Sequence, residues 1–246
     1  MLKNKKIRVV LVLLEVVVLL CAVFGIYVSH YYHANNTAVE ATFSDSTVTV
    51  IQKNDDCMVF TPKEPERGLV FYPGGKVEYT AYAPLMKALA AEGFFCVLVK
   101  MPFNLAVFDV NAADDVIEEY THIDEWYIGG HSLGGSMAAS YAANNNNKLE
   151  GLILLGSYST EDLNDKGLTV FEIHASEDEI WMPDDVEKYK EYKGNLPSDT
   201  FNISIEGGCH AYFGSYGKQE GDGTPTISPE EQIRQTVEFI TENINK

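Results

Sequence analysis

The sequence predicts an α/β fold, a mainly parallel β-sheet with helices on both faces, preceded by one transmembrane helix. Three observations predict it. From Gly68 onward, short apolar runs alternate with amphipathic helical stretches, the texture of a parallel sheet whose crossovers are helices. The stretch Trp126 to Tyr141 joins an apolar strand to an Ala-rich helix through Gly130-His131-Ser132-Leu133-Gly134. Val9 to Val28 is apolar with a single charge, Glu15.

The N-terminal run comes first in the chain. Twenty residues of helix span roughly 30 Å, the hydrocarbon thickness of a bilayer. Glu15 near its middle costs about 3 kcal/mol on insertion scales, which the Val and Leu residues offset. Lys3, Lys5, Lys6 and Arg8 precede the run, so the positive-inside rule puts the N-terminus in the cytoplasm and the rest outside. No small-x-small site closes the apolar run, and Leu20 before Cys21 does not suit lipoprotein cleavage. The reading is therefore an uncleaved signal anchor over residues 1–28, in preference to a cleaved signal peptide. It implies a single-pass cell-membrane protein whose domain is extracytoplasmic.

Residues 29–45 are polar and read as a tether; residues 46–246 read as one domain without a large lid. A chain of 246 residues, 46% hydrophobic, buries one good-sized core. The formal charge is −18; residues 29–246, with 14 basic and 35 acidic groups, sit at −21. That surface argues against nucleic acid as a partner and for a solvated acidic exterior. Of four cysteines, Cys21 lies in the apolar run and Cys96 in a core strand. Cys57 and Cys209 have no metal-ligand spacing, and in an oxidising compartment they are candidates for a disulfide.

Within the domain, Thr47–Gln52 and Cys57–Thr61 alternate as two strands around Asn54-Asp55-Asp56, a hairpin. Strand Leu69–Tyr72 leads to Pro73-Gly74-Gly75-Lys76 and a helix near Tyr79–Glu92. Strand Phe94–Val99, helix Ala106–Tyr120, strand Trp126–Ile128 and helix Ser136–Ala143 follow. Strands Gly151–Leu155 and Thr169–His174, a helical stretch around Asp184–Tyr192 and strand Phe201–Ile205 continue the alternation. A last helix opens at Ser228-Pro229, with Ser at the N-cap, Pro at the first helical position and Glu231 three residues after the cap.

The pattern G-x-S-x-G between a strand and a helix forces a sharp turn that leaves the central serine clear of the sheet. Ser132 is the expected nucleophile, with the Leu133 N–H directed at a developing oxyanion. A serine hydroxyl needs a base, and the base an orienting carboxylate. Functional groups of a parallel sheet gather at the strands' C-terminal ends. Of six histidines, His30 and His33 lie in the tether and His122 precedes its strand, at the opposite edge. His131 adjoins the serine but points away from it, and reads as a packing residue. His174 closes a strand and reads as a satisfied polar strand end. His210, on the loop after the last strand, is the expected base. The loop after Thr169–His174 offers Glu177, Asp178 and Glu179, any of which could face the imidazole on charge alone; the reading takes Asp178.

The order Ser132, Asp178, His210 leads to a resemblance. The elbow Gly130–Gly134, the strand end Ile173-His174-Ala175-Ser176-Glu177-Asp178 and the run Glu206-Gly207-Gly208-Cys209-His210-Ala211 resemble the nucleophile, acid and base motifs of the α/β-hydrolases. The likeness is to their compact dienelactone-hydrolase-like bacterial branch, over residues 46–246. It implies the α/β-hydrolase fold and an oxyanion hole completed by a backbone N–H of the Pro73–Lys76 loop. Gly75 is the expected donor, with Lys76 as the alternative. The chain departs from that branch in three places: Ala175 where a Gly is usual, Pro73-Gly74-Gly75-Lys76 where His-Gly is usual, and serine in place of the dienelactone hydrolases' cysteine. The last removes dienelactone as an implied substrate.

Two loops bear on substrate. About a dozen residues, Gly156 to Leu168, join two strands where larger relatives insert a lid, which predicts an open site rather than a deep lipid tunnel. The loop Ala211–Thr226 reads either as a site wall, through Tyr212, Phe213 and Tyr216, or as a solvated surface loop. The expected function is a membrane-anchored serine hydrolase acting through an acyl-enzyme on a small ester or related acyl substrate. No metal or organic cofactor is implied, and the sequence leaves the oligomeric state open. The rival readings are a non-catalytic binding or scaffold protein that kept the fold, and a cell-envelope acyltransferase with the same triad.

Overall fold

The computed structural model describes residues 2–180 and 186–245 and divides the chain into two units, residues 1–31 and 32–246. In the first unit, helix α1 covers Leu2–Ser29. Its segment Ile7–Ser29, with mean hydropathy 3.1, is long and apolar enough to cross a membrane.

The second unit is built on one eight-stranded sheet. The strands are β1 (Val48–Lys53), β2 (Cys57–Pro62), β3 (Arg67–Tyr72), β4 (Phe94–Val99), β5 (Trp126–His131), β6 (Gly151–Leu155), β7 (Thr169–Ala175) and β8 (Phe201–Ile205). Their spatial order is β1-β2-β4-β3-β5-β6-β7-β8. The β1–β2 hairpin joins β4 antiparallel, and every pair from β4 to β8 is parallel. This is the α/β-hydrolase fold. The central strands read as continuous apolar runs because both faces are covered; every residue of β4 is buried.

On one face, α3 (Ala83–Ala91) and α7 (Pro229–Asn243) pack over Leu69, Phe71, Cys96, Ile153 and Phe171. On the other, α4 (Ala112–Glu119) and α5 (Leu133–Asn145) pack over Val70, Val97, Ile128, Leu152 and Val170. Period-two alternation along each strand divides these two sets. Helix α6 (Val186–Gly194) follows β7; Asp184 and Asp185, part of the helical stretch expected there, lie outside the described residues. Ser228 caps α7 as its sequence foretells, accepting a hydrogen bond from the Glu231 N–H.

Several expectations are corrected. Residues 32–45, expected as part of a tether, pack as part of the domain. Tyr32 pairs in parallel with Val77, and the Asn35 side chain caps a short helix, α2 (Asn36–Ala41), whose Ala38 is fully buried. The helix expected from Ala106 begins only at Ala112. The buried Tyr72 hydroxyl donates to the Val110 carbonyl and accepts from the Ala113 N–H, so it takes the groups that a continuous helix would use. Helix α5 starts three residues earlier than expected, directly after Ser132. All four cysteines are free thiols. Cys57 on β2 and Cys209 after β8 have five strands between them, about 25 Å or more at the usual strand spacing, far beyond disulfide reach.

Candidate active site

Ser132 sits between the C-terminal end of β5 and the first turn of α5 with φ 52° and ψ −123°. A non-glycine residue held at positive φ costs on the order of 1–3 kcal/mol, so the surroundings must impose it. They do so from three sides. The Ser132 N–H donates to the Leu155 carbonyl at 3.0 Å and its carbonyl accepts the Ser136 N–H at 3.1 Å. The Ser157 hydroxyl donates to the same carbonyl at 2.8 Å. A Cβ at Gly134 would collide with the Tyr72 carbonyl oxygen, which is why the elbow needs glycine there.

Asp178 and His210 come together from the loops after β7 and β8. Both are buried, at 6% and 1% exposure. His210 Nδ1 donates to Asp178 Oδ2 at 2.7 Å, and Asp178 Oδ1 accepts the Ile180 N–H at 2.9 Å. His210 Nε2 is buried without a hydrogen-bond partner among the described residues. Gly156, φ 47°, lies against this pair: a Cβ there would stand 3.0 Å from His210 Nδ1 and 3.1 Å from Asp178 Oδ2. Of the other carboxylates weighed for the role, Glu179 is exposed, and Glu177 accepts from the Ser176 hydroxyl.

The remaining histidines occupy other places. His131 points to the α3 side, where the Tyr82 hydroxyl, itself accepting the Gly74 N–H at 3.0 Å, bonds His131 Nδ1 at 2.8 Å. Burial first, and the neighbouring His210 second, hold the His131 imidazole well below its ordinary pKa and therefore neutral. His174 pairs with Glu172 at 3.0 Å. Burial alone would raise the Glu172 carboxyl, but hydrogen bonds and charge from His174 and Lys193 outweigh it and hold the carboxyl below its usual value. His122 lies before β5 against Phe95, at the opposite edge of the sheet.

In the loop after β3, the Lys76 N–H is already given to the Asn104 carbonyl at 2.8 Å and the Gly74 N–H to Tyr82. The Gly75 N–H and the Leu133 N–H have no acceptor among the described residues. The two residues touch: a Cβ at Gly75 would stand 2.9 Å from Leu133 Cδ2. The loop Ala211–Thr226 divides at Tyr216: Gly217–Thr226 lies at the surface, as one of its two expected roles has it, and Ala211–Tyr216 does not. Phe213 and Tyr216 are buried in the core, with Phe213 packed 5.6 Å from the His131 ring and Tyr216 6.5 Å from Tyr82.

That loop also contains the residue the sequence reading missed. Asp222 accepts the backbone N–H groups of His210 at 3.1 Å and Ala211 at 2.8 Å. Gln232 on α7 brackets Cys209, accepting its N–H and donating to its carbonyl, both at 2.9 Å. An Asp-Gly pair in a glycine-rich loop signals a turn, and nothing local reports that its carboxylate turns back twelve residues.

Comparison with known proteins agrees with this architecture. A profile described as the alpha/beta hydrolase family matches residues 68–234. No curated protein sequence matches. Among solved structures, a predicted CIB-like hydrolase from Thermoplasma acidophilum superposes with TM-score 0.56 at 16% identity, covering 80% of this chain and 98% of its own. Est1E from Butyrivibrio proteoclasticus gives 0.55 at 16% identity, with 82% and 100% covered. Esterase 2 of Thermogutta terrifontis, phosphonylated by cyclosarin, gives 0.51 at 15% identity, with 79% and 93% covered. At these identities the likeness is one of fold.

Proposed function

The chain belongs to the alpha/beta hydrolase family, and on that premise we propose that it is a serine hydrolase of esterase type, held in the cell membrane by α1 with its domain outside. The observation that carries this reading is the buried Asp178–His210 pair, whose outer ring nitrogen, Nε2, has no hydrogen-bond partner among the described residues. With Nδ1 committed to the carboxylate, Nε2 is the basic nitrogen of the imidazole and can accept the Ser132 proton. Ser132 then attacks the ester carbonyl, and the oxyanion takes hydrogen bonds from the Gly75 and Leu133 N–H groups. Collapse expels the alcohol, which leaves with the proton from His210. Water, activated by the same nitrogen, releases the acid and restores the serine. Asp178 holds the tautomer and stabilises the imidazolium.

A fluorophosphonate probe tests the assignment. It should label the unsubstituted protein and not Ser132→Ala, with the melting temperature of the variant close to that of the parent. Labelling that survives the substitution refutes the nucleophile. Lys3, Lys5, Lys6 and Arg8, at the N-terminal end of the span, support an outside location for the domain, so protease added to spheroplasts should digest it. A fully protected domain would reverse that topology.

A further inference from the structure

The loop after β4 presents large apolar side chains to solvent. Phe103, Val107 and Phe108 are 55%, 47% and 51% exposed, and the Phe103 and Phe108 rings meet edge to face with centroids 5.6 Å apart. Phe103 and Asn104 both have φ 56°. For a bulky residue this left-handed conformation is a genuine outlier, and such strain persists only where something holds it. Strain that keeps a phenyl ring at the surface does nothing for the core of the domain. It suits a ring that meets an apolar medium.

The position of this loop names the medium. The Asn104 carbonyl accepts the Lys76 N–H at 2.8 Å, and Leu105 Cδ2 would lie 3.7 Å from a Cβ at Gly75. The patch therefore adjoins the loop that carries the proposed oxyanion donor. On its other side the same loop binds the start of the domain: the Lys76 carbonyl accepts the Tyr32 N–H, and the Tyr32 carbonyl accepts the Glu78 N–H, each at 2.8 Å. The apolar span ends at Ser29, so only His30 and Tyr31 intervene before Tyr32. Three residues of extended chain reach about 10 Å. With the span in a bilayer, covalent connection alone keeps Tyr32, and the backbone bonded to it, within about that distance of the lipid headgroups.

We propose that Phe103, Val107 and Phe108 dock into the lipid interface, and that the site acts on acyl esters of amphiphiles resident in the same bilayer. The substrate class rests on the serine-hydrolase reading; the docking does not. Phenylalanine, like Trp and Leu, is a side chain that interfacial segments bury at the boundary of headgroups and acyl chains. A charge of −21 on residues 29–246 argues that attachment is apolar and not through anionic headgroups. The chemistry is acyl transfer to Ser132 with release of the alcohol, then hydrolysis to the free fatty acid.

The test uses the full-length chain in phosphatidylcholine vesicles. Phe103→Trp and Phe108→Trp should each be quenched by brominated phosphatidylcholine well beyond the background of Trp126 and Trp181, measured in the unsubstituted protein. The double variant Phe103→Ser/Phe108→Ser should hydrolyse 4-methylumbelliferyl oleate held in the vesicles about tenfold more slowly, with water-soluble 4-methylumbelliferyl acetate within about twofold of the parent. Absence of added quenching overturns the docking. An unchanged oleate rate, or an equal loss on both esters, overturns the substrate class. If the parent cleaves neither ester and Ser132 takes no fluorophosphonate, the hydrolase reading and the substrate class fail together, and quenching still decides the docking.

Discussion

The imidazole of His131 packs against that of His210, with ring centroids 4.3 Å apart. The residue next to the elbow serine thus forms the inner wall behind the proposed base. A cation there would oppose the imidazolium that His210 must become. Burial first, and the neighbouring His210 second, keep that wall neutral.

This arrangement has a consequence for stability. The folded His131 pKa lies well below its ordinary value of 6.5, so below that pH the unfolded chain binds a proton that the folded chain refuses. Stability from this residue is therefore complete above about pH 6.5 and falls with decreasing pH, by up to about 1.4 kcal/mol per unit. We expect the melting temperature to drop between about pH 6.5 and 5, and His131→Phe to flatten that slope. An unchanged slope in the variant would show that other groups carry it.

The carboxylate assignment separates three neighbours. Asp178 is buried on His210, whereas Glu179 is exposed. Removing the orienting carboxylate of such a triad costs on the order of 10⁴ in turnover, about 5 kcal/mol. Asp178→Asn should be nearly inactive in an ester assay, with Glu177→Gln and Glu179→Gln close to the parent. A dead Glu177→Gln beside an active Asp178→Asn would move the acid by one residue.

Gly156 offers a test that touches no reacting group. Alanine there would meet a positive φ and push against both His210 and Asp178. Gly156→Ala should lower kcat by about one to two orders of magnitude through misplacement of the pair, with KM little changed. Full activity would mean that the pair has room the structure does not provide.

Asp222 should matter for the same loop from the other side. Asp222→Ala leaves the His210 and Ala211 N–H groups without their acceptor, a loss of about 1–3 kcal/mol. A lowered melting temperature and a lowered kcat should appear together. Loss of neither would show that the base loop is held by Gln232 and Cys209 alone.

The strands were legible from their burial: cover on both faces writes Phe94–Val99 and Gly151–Leu155 as apolar runs, the edge strand Phe201–Ile205 alternates apolar with polar, and all three agree with the structure residue for residue. The elbow was legible because a strand–helix turn this tight tolerates only glycine at Gly134. Helix starts were less so. Tyr72 delays α4 through hydrogen bonds that span about forty residues of sequence, and no local propensity encodes them.

By itself, then, the sequence determined the alternation of strand and helix, the apolar span at the N-terminus and the glycines of the elbow, because these follow from periodicity and local sterics. Only the tertiary structure decided which carboxylate meets His210, which N–H groups near Ser132 have no acceptor among the described residues, and that residues 32–45 join the domain. It also decided that Asp222 anchors the base loop and that His131 backs His210. These features depend on residues that lie apart in the chain, and the assembly of the sheet, with its fixed strand order, is what brings them together.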